Sequence, residues 1–139
     1  MAQADFRAND RDGNGVRDYW RADVSGLYTV KTGGVGIPNK LIDLSLAAAD
    51  AQPVSAVAEY ANPGPKNSCW FRAIPHEGET TPDPDRFAFC AYPAIRRKDY
   101  VWTYIVDETN TLYRKKLPWP HITPCFPSDP VADGWELNP

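Results

Sequence analysis

The placement of proline constrains this sequence more than any other feature. Thirteen of its fourteen prolines lie after residue 52. Proline has no backbone N–H and its ring clashes with the preceding helical turn, so long helices are not expected there. Within sheets, proline is confined to edges, bulges and turns. The second half of the chain is therefore predicted to form short strands separated by turns.

Four segments of the second half have the apolar patterns of strands. They are residues 69–74, 86–92, 100–106 and 111–115. The linkers between them are too short for the helical crossovers that parallel strands need. Residues 69–116 are therefore predicted to form a three- to four-stranded antiparallel β-meander, with a hairpin loop at residues 107–110.

The last segment, residues 117–139, combines six prolines with Trp119 and Trp135. This Pro-rich tail is predicted to wrap the sheet as extended chain, because proline cannot enter a central strand. We expect the two tryptophans to cover the core, the alternative being that they face a neighbouring subunit.

The first half is predicted to be helical over residues 1–9 and 19–50. Within residues 19–30, the large apolar side chains recur at helical spacings. A second helix is predicted over residues 40–50, with Asn39 as its N-cap. With 139 residues the chain fits a single domain. The predicted fold is α+β, with the N-terminal helical segment packed on one face of the sheet.

Residues 10–18 contain the motif that points most directly to chemistry. Side-chain oxygens stand at its first, third, fifth and ninth positions, which are Asp10, Asp12, Asn14 and Asp18. Calcium prefers six to eight oxygen ligands, and side chains at these spacings can converge on one ion. The sequence therefore predicts a calcium loop.

Other residues complete or weaken this calcium motif. Gly15 permits the sharp bend, the Val16 carbonyl offers a further oxygen, and Asp23 could supply a carboxylate from one turn later. Arg21 stands at the twelfth position, where an EF-hand has a bidentate Glu. The predicted affinity is therefore on the order of 0.1–1 mM. The alternative is an ordinary turn in which Asp18 caps the next helix.

The remaining polar residues give weaker signals. His76 and His121 lie in Pro-rich loops, and no nucleophile stands at a spacing that requires either of them. The acidic residues between 77 and 85 are expected to form a solvated loop. The net charge of −3 and the scattered basic residues argue against a nucleic-acid partner. We therefore expect a protein that is not an enzyme.

Three cysteines, Cys69, Cys90 and Cys125, lie far apart in the sequence. Without a C-x-x-C pair, a structural zinc site is not expected. One disulfide with a free thiol would suit an oxidising compartment, and three reduced thiols would suit the cytosol. The spacing does not choose between these states or among the possible pairs.

Several stretches together resemble a known family. AQADFRAND at residues 2–10 and DGNGVRDYW at residues 12–20 resemble the segment after the membrane helix of pilin-like proteins in planctomycete-type bacteria. The stretches similar to the meander of a related family are CWFR at 69–72, FAFCAYPA at 87–94, TYIVDE at 103–108 and LYRK at 112–115. The chain thus resembles type IV pilin-like and type II secretion pseudopilin-like proteins, although residues 107–110 replace the more usual Asn-Glu-x-Gly turn.

This resemblance implies a structural subunit of a pilus-like or pseudopilus filament, with other pilin or pseudopilin subunits as partners. It implies an extracytoplasmic domain, anchored in the full-length protein by an apolar N-terminal helix that also packs into the filament. The uncapped opening at residues 1–6 looks like a helix cut partway along, with a natural start near Met1 as the alternative. Pseudopilins use calcium near the C-terminus, so only the idea of a calcium requirement carries over to residues 10–18.

Two other functions compete with the filament subunit. A free-standing extracytoplasmic binding module for a protein or glycan would use the Trp-rich tail and the acidic loop, and it predicts an exposed aromatic patch. A hydrolase would need a cleft that unites His76 or His121 with a carboxylate and a nucleophile.

Overall fold

Antiparallel pairing of neighbouring strands organises the second half of the chain. The computed structural model describes residues 1–54, 62–96, 98–99 and 101–139. Its five strands pair in sequence order in one sheet. They are β1 (Cys69–Ala73), β2 (Ala88–Pro93), β3 (Val101–Asp107), β4 (Leu112–Leu117) and β5 (Glu136–Leu137). With the short helices that precede them, these strands make an α+β fold, as predicted.

The predicted strands coincide with β1 to β4, apart from shifts of one or two residues at their ends. Tyr100, the predicted first residue of the third strand, lies outside the described residues. The prediction of three to four strands is wrong by one, because the tail contributes β5. This strand pairs with β4 through Arg114 opposite Glu136. Two paired residues are too few to leave a pattern in the sequence.

The core lies on one face of the sheet and is closed by the tail. Cys90 of β2 stands opposite Ile105 of β3, and both side chains are fully buried. Phe126 and Trp135 of the tail pack in the same apolar cluster, and Trp135 is 3% exposed. The predicted covering role is confirmed for Trp135 but not for Trp119, which remains 48% exposed.

The first half contains much less helix than predicted. It has α1 (Ala2–Ala8), α2 (Gly26–Thr29), a 3-10 turn (Thr32–Gly34) and α3 (Leu44–Ala48). The helices predicted over residues 19–30 and 40–50, within the helical segment 19–50, are therefore wrong in their extent, because only Gly26–Thr29 and Leu44–Ala48 are α-helical there. The prediction of Asn39 as an N-cap is also wrong, because Asp43 caps α3 and Asn39 donates its amide N–H to the Arg11 carbonyl oxygen. None of the helices in the described part of the chain is long and apolar enough to cross a membrane.

The buried carboxylates of Asp23 and Asp50 explain why helix gives way to loop in the first half. Asp50 Oδ2 accepts the backbone N–H groups of Val24 and Ser25 at 2.8 and 2.7 Å, and Asp50 Oδ1 accepts that of Gln52 at 2.9 Å. A helix through residues 19–30 would use the first two N–H groups in its own ladder. Aspartate competes for backbone donors in this way and favours turns. The apolar spacing in this segment therefore reflects packing against the rest of the protein.

Residues 49–51 attach this loop region to the sheet. Ala49 and Ala51 exchange backbone hydrogen bonds with Phe71 of β1, as in a short parallel pairing. Asp50 lies between them, so its side chain holds the 24–25 segment directly against the edge of the sheet. Asp50 is thus one of the groups that position the first half, together with the ion pairs of Arg7 and Arg21 to the connection between β1 and β2.

Replacing this carboxylate should destabilise the fold strongly. Asp50→Ala leaves three backbone N–H groups without their acceptor, and each such buried group costs about 1–3 kcal/mol. Removing a buried charge offsets part of this cost. We expect the free energy of unfolding in urea to fall by about 3 kcal/mol. The exposed Asp99→Ala should change it by less than about 0.5 kcal/mol, and equal effects of the two substitutions would contradict this role.

The cap of α3 should give the fold a specific acid sensitivity. The Lys66 ammonium, with the Leu46 N–H and the Ser45 hydroxyl, lowers the pKa of Asp43 from 3.8 to about 2. Ionised Asp43 therefore stabilises the fold above pH 3.8, and this contribution is lost as the pH falls through about 2. Asp43→Asn keeps a capping oxygen but removes the charge. Between pH 3.8 and about 2, the melting temperature of Asp43→Asn should fall less than that of the wild type. Equal falls for the two proteins would refute the link between the Asp43 charge and stability.

Candidate metal site

The loop at residues 10–18 begins where α1 ends. Asp10 adopts a left-handed conformation with φ 46°, and its carbonyl oxygen accepts the Gly13 N–H at 2.9 Å. Gly15 has φ 83°, which glycine adopts without steric cost, and its N–H donates to Asp10 Oδ2 at 3.0 Å. The chain thus bends at Gly15 as predicted, and the bend turns the loop around the Asp10 carboxylate.

Neighbouring backbone fixes the position of this loop. The Gly33 N–H donates to the Asp12 carbonyl oxygen at 2.8 Å. Gly13 lies so close to this partner that a Cβ there would stand 2.7 Å from the Gly33 nitrogen. These main-chain contacts fix the loop against Gly33, whereas within the loop Asp10 Oδ2 and Asp12 Oδ2 accept hydrogen bonds from Gly15 and Asn14.

Two oxygens of the loop are buried without a hydrogen-bond partner. Among the described residues, four buried side-chain polar atoms have none, and they are Asp10 Oδ1, Asp18 Oδ1, Arg72 Nε and His121 Nε2. Half of this small set therefore lies in a loop of nine residues. An unpaired buried polar group costs about 1–3 kcal/mol, and more when it is charged. A bound cation would supply the missing partner for both oxygens.

Asp12 lies beside these two carboxylates. Burial raises its pKa, the Asn14 N–H opposes this, and the carboxylates of Asp10 and Asp18 raise the pKa further. Asp12 is thus repelled by both neighbouring carboxylates, and a divalent cation would relieve that repulsion. Asp12 and Asp18 also line a pocket of about 230 Å³, to which Pro82 and Pro84 contribute.

Asn14 and Val16 occupy the centre of the loop in a form that is not arranged around an ion. The Asn14 NH₂ group donates to Asp12 Oδ2 at 2.9 Å, and Asn14 Oδ1 accepts the Val16 N–H at 2.7 Å. To ligate a cation, the Asn14 amide would have to turn its oxygen toward Asp12. The loop therefore places Asp10, Asp12 and Asp18 near one another without bringing ligand atoms of all three within 4.8 Å, and Asn14 and Val16 lie between them in the chain.

Asp23, which we predicted as a further ligand, does not join the loop. It is buried, and its Oδ1 accepts the Trp20 indole N–H and the Gly26 N–H at 2.9 and 2.8 Å. Its Oδ2 accepts the Ser25 hydroxyl and the Val54 N–H. The prediction is wrong because both oxygens are committed to these four donors.

Arg21, at the position of the missing EF-hand glutamate, lines the same pocket as Asp12 and Asp18 but pairs with residues outside the loop. It forms an ion pair with Glu79 and donates to the Asp83 carbonyl oxygen at 2.9 Å. It thus connects the segment after the calcium motif to residues 79–83. The loop itself has no protein ligand from that position, which is consistent with weak rather than tight calcium binding.

A second acidic cluster was not predicted from the sequence. His76, Asp107 and Glu108 bring one ligand atom each within 4.8 Å of one another. His76 Nε2 lies 3.1 Å from both Glu108 Oε2 and the Phe87 carbonyl oxygen, and its Nδ1 lies 2.9 Å from the Arg86 guanidinium. The predicted meander implies that Ala88 pairs with Asp107, and this pairing brings the loop that holds His76 close to Asp107 and Glu108.

The hydrogen bonds of this second cluster oppose metal binding. Arg86 can only donate, so His76 Nδ1 accepts, and the proton of a neutral imidazole then sits on Nε2. A metal at Nε2 would need that proton to move to Nδ1, where it would face the Arg86 donors. Arg86 also lies 3.3 Å from Glu108 Oε1 and supplies positive charge. We therefore interpret the cluster as an ion network that joins the two hairpin loops.

An apolar groove lies beside the first turn of α1. It has a volume of about 300 Å³ and is bounded by the helices on one side and by β1 to β4 on the other. Its lining includes Met1, Val24, Leu27, Tyr104, Val106 and Leu112. Leu112 is 38% exposed, so the groove opens to the surface at β4.

No protein-family model, curated protein or solved structure matches this chain. The three cysteines are all free thiols in the structure, and burial raises the pKa of Cys90 to about 11. Function must therefore be argued from the loop, the groove and the surface charges.

Calcium should stabilise the protein through this loop. At about ten times a Kd on the order of 0.1–1 mM, mass action adds about 1.4 kcal/mol, which raises the melting temperature by about 5 °C. Magnesium should have a smaller effect because it requires tighter octahedral geometry. Asp18→Ala should abolish the calcium-dependent rise.

The matched control for this experiment is Asp99→Ala, which removes an exposed carboxylate far along the chain. It should retain the full rise with calcium. Asp10 is less suitable for substitution because its carboxylate also holds the Gly15 N–H. If Asp18→Ala lowered the melting temperature equally in calcium and in chelator, the loop would be an ordinary turn.

Proposed function

We propose that this chain is a structural subunit of a type IV pilus-like or type II secretion pseudopilus-like filament. Its partners would be other pilin-like subunits, and an apolar N-terminal helix in the full-length protein would anchor it in the membrane. The domain described here would then lie outside the cytoplasm and act in assembly rather than in catalysis.

The groove beside α1 is the observation that carries this proposal. Apolar surface of this kind favours burial by about 25 cal/mol per Å². An apolar helix that lies along the sheet next to α1 would cover Val106 and Leu112, which the short helices of the first half leave accessible. A helix that extends α1, or one from an adjacent subunit, would fit this description.

The positions of the family-like stretches support the same proposal. CWFR lies in β1, FAFCAYPA covers β2, TYIVDE spans most of β3 and the following turn, and LYRK lies in β4. They therefore occupy successive antiparallel strands, the arrangement that the resemblance implies. The pilin-like character of the fold rests on this order together with the helix that precedes the sheet.

Calcium would act at the junction between helix and sheet. The loop at residues 10–18 follows α1 directly, and Pro82 and Pro84 of the loop between β1 and β2 line the same pocket. An ion held by the carboxylates of residues 10–18 would stiffen the end of α1 beside that pocket. In a filament, the angle between α1 and the sheet sets where each domain projects.

One observation favours the binding module as a second candidate. Trp119 is half-exposed, and the Arg96 guanidinium lies 5.8 Å from its ring centroid. An exposed tryptophan beside a cation can stack on a sugar ring or contact a protein. Trp119→Ala would abolish binding to such a ligand without affecting filament assembly.

Filament labelling tests the proposed function. The gene would be expressed with its natural upstream coding region, and filaments would be labelled for electron microscopy with an antibody raised against residues 1–139. We expect labelled filaments or pseudopili, and none in a deletion strain. Confinement of the antigen to the cytoplasm would contradict the proposal.

A groove variant makes the same test specific. Leu112→Lys places a charge at the open edge of the groove while its side chain can still reach solvent, so the domain should fold. We expect several-fold less protein in filaments at an unchanged cellular level. Val131→Lys alters a more exposed apolar residue in the tail, away from the groove lining, and should assemble normally.

A further inference from the structure

Charged residues are segregated to opposite ends of the sheet. The antiparallel register places the β1–β2 and β3–β4 connections, residues 74–87 and 108–111, at one end. We call this the acidic end. The β2–β3 connection and the last residues of β4 lie at the other end, which we call the basic end.

The acidic end carries five carboxylates in its two loops, and they are Glu77, Glu79, Asp83, Asp85 and Glu108. Three of them have ion-pair partners: Arg21 contacts Glu79, Arg7 contacts Asp85, and Arg86 contacts Glu108. The other two, Glu77 and Asp83, have no cation within ion-pair distance in the part of the chain that the structure describes. This end therefore retains negative charge.

The basic end carries Arg96, Lys98 and Lys116, all of them exposed. Within the described ranges, none of the three has a carboxylate at ion-pair distance. Arg96 lies against Trp119, and the Lys116 amine is 5.1 Å from the Trp102 ring centroid. Asp99 is the carboxylate of this loop, so the end remains positive.

The two ends are far enough apart to act separately. β3 has seven residues, which at about 3.3 Å per residue gives about 23 Å between the ends. The Debye length at physiological ionic strength is about 8 Å. Salt therefore screens the two ends from each other, so their opposite charges do not cancel within one molecule. Each end presents its own charge to a neighbouring molecule.

We propose that copies of this chain associate end to end, with the basic end of one copy against the acidic end of the next. A contact between different surfaces of identical subunits generates a ring where the rotation closes and an open filament where it does not. Complementary charge sets the orientation of such a contact and speeds its formation. The proposal rests on the proposed filament function for its choice of a second copy as partner.

Zero-length crosslinking tests this contact directly. A carbodiimide joins lysine amines to carboxylates that touch, and mass spectrometry identifies the pairs. We expect links from Lys98 and Lys116 to Glu77 and Asp83 at high protein concentration and low salt. The distance between the ends means that such links form only between molecules. Abundant links that avoid these pairs would overturn the proposal.

Charge-reversed variants give an independent test by sedimentation velocity. Lys98→Glu with Lys116→Glu makes both ends acidic, and Glu77→Lys with Asp83→Lys makes both ends basic. Each double variant alone should lose the salt-sensitive association of the wild type, and an equal mixture of the two should recover it. Lys40→Glu, an exposed reversal in the first half, should associate as the wild type does. A mixture that stays monomeric would refute the contact.

Two further results would separate this inference from the proposed function. Labelled filaments whose crosslinks avoid both ends would keep the filament function and reject the end-to-end contact. Binding to phosphatidylserine vesicles that is lost in the Lys98→Glu, Lys116→Glu variant, without crosslinks between the ends, would also reject it and would assign the basic end to a lipid surface.

Discussion

The fold depends on aspartate side chains that take the place of helical hydrogen bonds. Asp50 accepts three backbone N–H groups and Asp23 accepts two, together with an indole N–H and a hydroxyl. Burial raises the pKa of Asp50, and the nearby Asp23 carboxylate adds to this rise, while the three N–H groups oppose it. These two residues hold the loops of the first half against the edge of the sheet. The tail covers one face of the sheet, so the sheet needs the first half to cover the other face.

The same chemistry gives the calcium loop its character. Asp10 holds the Gly15 N–H with one oxygen, as Asp23 and Asp50 hold their donors, but its other oxygen is buried without a partner. Asp18 has an oxygen in the same state. The protein supplies hydrogen-bond donors to both carboxylate oxygens of Asp23 and of Asp50. Asp10 and Asp18 each have one buried oxygen without a donor. This difference is what distinguishes a structural carboxylate from a candidate ligand here.

The sequence predicted the sheet well because its signals are local. Prolines and alternating apolar residues mark β1 to β4, and the short linkers require antiparallel pairing. The helical spacing of Trp20, Val24 and Leu27 failed because burial comes from contacts distant in sequence. Asp23 was assigned to the metal for a related reason, since spacing does not show which donors consume its oxygens. The His76 cluster required the strand register, which becomes visible only once the hairpins are paired.

The three surfaces discussed above have separate roles in one account. The groove beside α1 would receive a helix, the loop at residues 10–18 would fix the angle of that helix, and the charged ends would orient neighbouring domains. The loop follows α1 directly and lines a pocket with the connection between β1 and β2, which Arg7 of α1 also contacts through Asp85.

A calcium titration monitored by amide NMR tests the loop at residues 10–18 most directly, because it shows which residues respond. The account predicts saturable shifts of the Asp12, Asn14, Gly15 and Val16 amides, with a midpoint on the order of 0.1–1 mM. The amides of His76 and Glu108 should not move at the same concentrations. An unchanged spectrum, or shifts confined to the His76 cluster, would contradict the account.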